Sequence, residues 1–355
     1  MKKDIKHGWD RNRCLLLIME KDLEFRFPYI EKIFCDAKYV LNAKNIKKNN
    51  YISTIVAVFG LKNELFKEYS LLKNQLPKFK LLFISNTEGF ISKNIIEWIK
   101  KDFPCLKLIT MQHGGVIIKK KKIERMIIKM FNFFSSLIFD YIIAGDGFIN
   151  SKVDYYIVYN NYYKSELLQN GIDKSKIIVS TKFLKGEEFF CAKNIFSNSR
   201  KNNALFLLQC LSALKITDIK TEKWLNDWII NYLSKEYKEV FIKQHPYDDI
   251  QIEKLPNNCT MVNNEIMEVS KECKFAVSFF SVGLLECEYL GLETLAIYSK
   301  KIQTPINSYD LFQTVKELRS NGELVPFIKK RPFENYYESN VQSIQGLQKF
   351  INERL

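Results

Sequence analysis

Histidine, proline and glycine are all scarce in this chain: 3, 8 and 13 of 355 residues. So little proline and glycine argues against a loop-rich scaffold and for long regular elements. Three scattered histidines exclude an ordinary imidazole-built transition-metal centre. No CxxC pair occurs among the eight cysteines, and Cys105, Cys210 and Cys287 sit in apolar surroundings. They read as buried free thiols of a reducing compartment, neither a disulfide frame nor a zinc site. There is no GxGxxG, no GxxxxGK[ST] and no GxSxG, which removes the dinucleotide, P-loop and α/β-hydrolase readings. No window of about 18 uninterrupted apolar residues occurs, so no spanning helix is expected. The opening "MKKDIKHGWDRNR" is polar and lacks a signal-peptide core. These features place the protein in the cytoplasm.

What is present is ample hydrophobicity, 46%, and a formal net charge of +14. The length suits two domains of roughly 150–200 residues each. The charge attracts anionic partners: nucleic acid, anionic membrane or phosphorylated substrates. Its lysines are spread through most segments, and no helix-turn-helix, zinc finger or RNP-type pattern accompanies them, so nucleic acid is not expected as a partner.

Short apolar runs alternate with amphipathic ones. "CLLLIM" (14–19), "STIVAVFG" (53–60), "FKLLFIS" (79–85), "CLKLIT" (105–110), "FDYIIAG" (139–145) and "DYYIVYN" (154–160) read as buried strands. "ISKNIIEWIKKDF" (91–103) and "NYYKSELLQNG" (161–171) read as helices, the second stopped by Gly171. The polar, aperiodic stretch 191–203 reads as a linker. Alternation then resumes, with strands at 204–210, 239–244, 275–281 and 293–299 and helices at 221–237 and 282–291. This pattern predicts an α/β protein with two doubly wound, Rossmann-like domains. The first covers 1–190 and the second 204–335, with a last helix over 336–355. Ligands of such sheets bind beyond the carboxyl ends of the strands, and the cleft between two halves is the natural site.

Two of the three histidines stand where strands end. In "VFIKQHPYDD", Pro246 biases the backbone of His245 toward the extended region. Lys243 and His245, two apart on a strand, share a face. Such donors can bind phosphate oxygens and stabilise charge on a leaving group. In "SFFSVGLLE", Ser278 and Ser281 lie at a strand end, Ser281 in N-cap position before an anion-binding helix terminus, and Glu286 further along could meet a ribose hydroxyl. Gln209 to Ser212 could add backbone donors. In "MQHGG", His113 is followed by Gly114 and Gly115, which allow close approach of a substrate. Together with Gln112 this loop suits a general base acting on an acceptor hydroxyl. Glu88 of "SNTEGF" is the competing base and Asp146 of "AGDGF" the third. Each has an ordinary structural reading beside the chemical one: a surface histidine, a helix cap, a histidine beside a tight turn, a solvated carboxylate.

The stretch 119–139, "KKKKIERMIIKMFNFFSSLIF", carries apolar residues at helical spacing behind four lysines. It fits an interfacial helix on an anionic bilayer and equally a core-facing helix with a solvated lysine cluster.

"HP" after a strand, then serines at the next strand end before a "GLLE" helix, resembles the carboxyl-terminal half of bacterial GT-B glycosyltransferases of surface polysaccharide synthesis. That group includes HP-motif sialyltransferases and polysialyltransferases, capsule Kdo transferases and CDP-glycerol glycerophosphotransferase-like enzymes. "MQHGG" resembles the HG motif of the last of these, and 154–180 resembles the segment before their interdomain crossing. The resemblance covers about 70–355. It implies a GT-B fold with a central cleft and an inverting transfer that needs no bound metal, in keeping with the absent DxD triplet. The co-substrate would be a nucleotide sugar, most plausibly CMP-linked and sialic-acid-like or Kdo-like. The acceptor would be a capsule or lipopolysaccharide glycan, lipid-linked at the inner membrane face. His245, Pro246, Ser278 and Ser281 would hold the donor phosphate, and His113 would be the base. The sialyltransferases use a carboxylate in an acidic-acidic-Gly motif, which "TEG" at Glu88 matches only in part. A CDP-glycerol or CDP-ribitol phosphate transferase and a non-catalytic glycan-binding protein are the rival expectations.

Overall fold

A computed structural model of the chain describes residues 14–19, 30–31, 35–41, 55–85, 90–112, 150, 152–180, 201–213, 216–245, 254–302 and 312–327, with the single positions 130, 132, 189, 252 and 309. The chain divides into two compact units, Met1–Gly186 with Glu338–Leu355, and Glu187–Tyr337.

In the first unit the described strands are β1 (Cys14–Ile18), β2 (Ala37–Val40), β3 (Leu81–Ile84), β4 (Lys107–Met111), β5 (Tyr155–Val158) and β6 (Ile177–Val179). The longer helices among the described residues are α1 (Ile55–Lys73), α2 (Phe90–Asp102) and α3 (Asn161–Gln169). The strands form one sheet in the order β2-β1-β3-β4-β5-β6, every pair parallel. All residues of β1 and β3 are buried, as expected of strands covered on both faces. The run 53–60, expected as a strand, instead opens α1 from Ile55. Its β-branched residues favour a strand locally, but the following "LKNELFKEYSLLK" carries the helix and absorbs them.

The second unit holds β7 (Asn203–Leu207), β8 (Glu239–Lys243), β9 (Cys259–Val262), β10 (Phe275–Ser278), β11 (Glu293–Tyr298), β12 (Val315–Leu318) and β13 (Leu324–Pro326), with α4 (Ile219–Glu236), α5 (Ile266–Ser270) and α6 (Val282–Tyr289). The sheet order is β13-β12-β11-β10-β7-β8-β9. Every pair is parallel except β12 with β13. Chain order therefore runs from β7 through β8 to β9 on one side, then returns to β10 on the other. That reversal is the topological switch point of a Rossmann-like sheet, and it lies between β7 and β10. In the first unit the reversal lies between β1 and β3. The expected class, α/β with two doubly wound Rossmann-like units, is the one found.

Glycine ends α3 and α6 as the sequence suggests. Gly171 and Gly291 have φ of 83° and 88°. Each is followed by a residue whose N–H reaches back into the last turn, Ile172 to Leu167 O at 3.1 Å and Leu292 to Cys287 O at 2.9 Å. This is the Schellman closure, and the left-handed backbone it needs is cheap only for glycine. The expected strand over 139–145, the final helix over 336–355 and, apart from Met130 and Asn132, the basic stretch 119–139 lie outside the described residues. Among the described residues no helix is long and apolar enough to cross a membrane.

Candidate functional site

The loop after β7 organises the carboxyl end of the second sheet. β7 is hydrogen-bonded to β10 on one side and to β8 on the other. Consecutive side chains of the loop reach to both. Gln209 turns toward β10: its Oε1 accepts from Phe280 N at 2.8 Å and lies 3.3 Å from the Ser278 hydroxyl. Cys210 turns toward β8: its sulfur lies 3.4 Å from His245 Nδ1. The next two residues are held from a third direction. Glu222, wholly buried in the first turn of α4, accepts from Leu211 N and Ser212 N, each at 2.7 Å. A buried carboxylate that receives two backbone N–H groups has much of its hydration replaced.

His245 follows the end of β8 and is partly exposed. Lys243, on the same strand face, was expected at a phosphate. Its ammonium instead donates to Asn264 O at 2.7 Å and lies 3.5 Å from Asn263 O, so it clasps β8 to the loop after β9. Burial holds this ammonium below its ordinary value, against the opposing pull of the Glu265 and Glu286 carboxylates. Glu286 of α6 therefore belongs electrostatically to the end of β8.

Ser281 caps α6 as expected: its hydroxyl oxygen accepts from Gly283 N at 3.2 Å, and its backbone is extended. Gly283 lets this helix start lie flush on the sheet. A Cβ there would come within 2.8 Å of Ile266 Cδ1 and 2.9 Å of Leu207 Cδ1. The helix terminus, with its partial positive charge, is thereby held beside the switch point.

Three expectations need correction. Ser278 is wholly buried and donates to Leu207 O at 2.7 Å; it ties β10 to β7 and is turned inward from any ligand. Ser212 does not offer its N–H, because Glu222 takes it. Gln112, expected on the acceptor loop, is buried, with its Oε1 accepting from Tyr159 N at 3.0 Å. Both glutamine amides serve the strand ends, since an unpaired N–H buried there would cost about 1–3 kcal/mol. Glu88, His113, Gly114, Gly115, Asp146 and Pro246 lie outside the described residues. Reasoning from sequence passed over Glu222, Cys210 as a histidine partner, and Gly283. Only Gly283 left a signal, a glycine two residues behind a capping serine. Among the described residues no group of three or more His, Cys, Asp or Glu side chains could hold a metal ion.

No protein-family model matches this chain, and no curated protein matches it by sequence. Among solved structures it is similar to the spinosyn rhamnosyltransferase SpnG complexed with thymidine diphosphate, at 8% identity and a TM-score of 0.49, over 96% of this chain and 91% of that one. It is similar to the glycosyltransferase SnogD from Streptomyces nogalater, at 8% identity and 0.47, over 96% and 94%. It is also similar to the wall teichoic acid polymerase TagF, at 11% and 0.43, over 81% and 70%. Likeness of this degree concerns architecture and says nothing of substrate.

Proposed function

We propose that the chain is a nucleotide-sugar-dependent glycosyltransferase of GT-B type, with the donor nucleotide at the carboxyl end of the second sheet. The observation that supports this most is the strand-end cluster at the switch point. There the ends of β8, β7 and β10 are joined through His245, Cys210 and Gln209, and the capped start of α6 stands beside them. A Rossmann-like sheet binds nucleotides at such a place. The group asked of a transferase here is a donor to the departing phosphate, and His245 is the partly exposed side chain of the cluster able to supply it.

In this reading an acceptor hydroxyl attacks the sugar carbon, the bond to the nucleotide phosphate breaks, and the sugar configuration inverts. His113 or Glu88, following β4 and β3 of the first unit in sequence, takes the acceptor proton. His245 and the α6 terminus meet the negative charge that builds on the phosphate, so the reading asks no resident metal of the chain. The donor is CMP-linked and carries an acidic sugar; the acceptor is a surface glycan.

The test is thermal unfolding with CMP, CDP, UDP and GDP, since a ligand of the folded state raises the melting point. CMP should raise it most, and His245→Ala should lower turnover about 10²–10³-fold. A chain unmoved by all four nucleotides would end the transferase reading. CMP release from CDP-glycerol, with none from CMP-sugars, would replace the sugar by a polyol phosphate.

A further inference from the structure

The mechanism above uses His245 but gives no role to the thiol beside it. Cys210 is 1% exposed, and its sulfur faces Nδ1 at 3.4 Å. The loop that carries it is fixed on both sides: Gln209 is bonded to Phe280 N at 2.8 Å, and Leu211 and Ser212 are bonded to Glu222 at 2.7 Å each. The thiol stands on this anchored loop, and the imidazole is a largely buried, partly exposed side chain just beyond the end of β8. The contact sets a hydrogen-bonding group against Nδ1 and so bears on which ring nitrogen carries the hydrogen.

We infer that Cys210 is a positioning residue for His245, fixing the ring's orientation and tautomer so that Nε2 carries the hydrogen presented to an anionic ligand. The inference rests on the donor-phosphate reading of this cluster. While the pair carries no net charge, three proton arrangements are open to it. A neutral thiol can donate to Nδ1, which leaves the ring hydrogen on Nε2. A thiolate can accept from Nδ1 of an imidazolium, and Nε2 again carries a hydrogen. In the third, Nδ1–H donates to a neutral sulfur, a much weaker acceptor than a ring nitrogen. The two arrangements with the better acceptor both make Nε2 a donor. A phosphate bearing no hydrogen needs such a donor, and a ring nitrogen without one would repel it. Sequence gives no hint of the pairing, because the residues stand 35 apart.

The experiment uses the ¹⁵N-labelled full chain and long-range ¹H–¹⁵N spectra. With three histidines in the sequence, His245 is assigned by the signals lost in His245→Asn. The wild-type ring should show a hydrogen on Nε2. Cys210→Ala should move the Nδ1 resonance and weaken CMP binding about threefold to tenfold, the loss expected when only a fraction of rings keeps the competent pose. Cys210→Ser, which retains a donor, should return the resonance part of the way. A neutral wild-type ring protonated on Nδ1 would overturn the inference with no variant needing to fold. An Nδ1 resonance unmoved by Cys210→Ala would overturn it as well. If the ring behaves as expected while CMP leaves the wild-type melting point unchanged, the nucleotide reading falls and the positioning stands.

Discussion

The two units solve one backbone problem in the same way and place the solution differently. Gln112 follows β4 and accepts from Tyr159 N beyond β5; Gln209 follows β7 and accepts from Phe280 N beyond β10. Each amide is buried and satisfies an N–H that the neighbouring strand has left behind. In the second unit that bracket lies at the switch point. In the first it lies two strands away, and the switch point is bridged instead by Ser85, whose hydroxyl accepts from Met19 N at 3.0 Å. A glutamine at a strand end is thus a device of the fold. Among the described residues, what the second unit adds is the pair of contacts built around its bracket: Cys210 with His245, and Glu222 with the loop.

The strongest way to break that distinction is through Glu222. Replacing it by alanine strips two backbone N–H groups of a charged acceptor, and each loss costs about 1–3 kcal/mol. Glu222→Ala should therefore destabilise the second unit by about 3 kcal/mol, and Glu222→Gln, which keeps one acceptor oxygen, by about half as much. Hydrogen exchange of peptides from β7 and α4 measures the effect directly. Equal protection in wild type and Glu222→Ala would show that the loop does not depend on this carboxylate.

A smaller effect separates scaffold from site. Gln112→Ala and Gln209→Ala each orphan one buried N–H, so each should destabilise its own unit by about 1–2 kcal/mol. Their effects on ligand should differ. Gln209→Ala loosens the loop that carries Cys210 and should reduce the CMP-induced rise in melting point, while Gln112→Ala should leave that rise unchanged. If both variants lose the CMP response, the bracket in the first unit serves the ligand too, and the contrast between the units is wrong.

The same contrast explains what the sequence disclosed. Central strands such as β1, β3, β7 and β10 were legible because a strand covered on both faces is an unbroken apolar run. The four sheet edges, β2, β6, β9 and β13, were not. They are three or four residues long; β2, β9 and β13 are only partly buried, and even the better-buried β6 spans only three residues, too few for a pattern. Helix α1 was misread at its start because local β-branching there opposes the helix that follows. In the candidate site, the strand-end place of His245 and the capping role of Ser281 were legible through neighbours in sequence, a proline and a helix pattern. Cys210 and Glu222 were not, because the first pairs across 35 residues through the strand order and the second pairs about ten residues back through the turn of the loop onto α4.

The smallest expected effect tests a clasp of the first unit against its counterpart in the second. Asp102, the last residue of α2, accepts from the Tyr69 hydroxyl at 2.6 Å and pairs with Lys73, the last residue of α1, at 2.8 Å. The Lys73 ammonium first, and then the Tyr69 hydroxyl, hold this carboxyl below its ordinary value of 3.8. The sign follows from linkage: a depressed carboxyl contributes stability that is fully present above the unfolded value and is lost as pH falls through the folded one. Lys73 is about half exposed and Asp102 about a third, so solvent screens the pair, and Asp102→Asn should cost only about 0.5–1 kcal/mol at neutral pH. Urea midpoints of wild type and Asp102→Asn should differ at pH 7 and converge as pH falls below 3.8 and through the lowered folded value of Asp102. A gap that persists in acid would mean that packing, not charge, joins α1 to α2. A gap at neutral pH as large as that of Glu222→Ala would mean that a part-exposed clasp can match a buried one, which screening forbids.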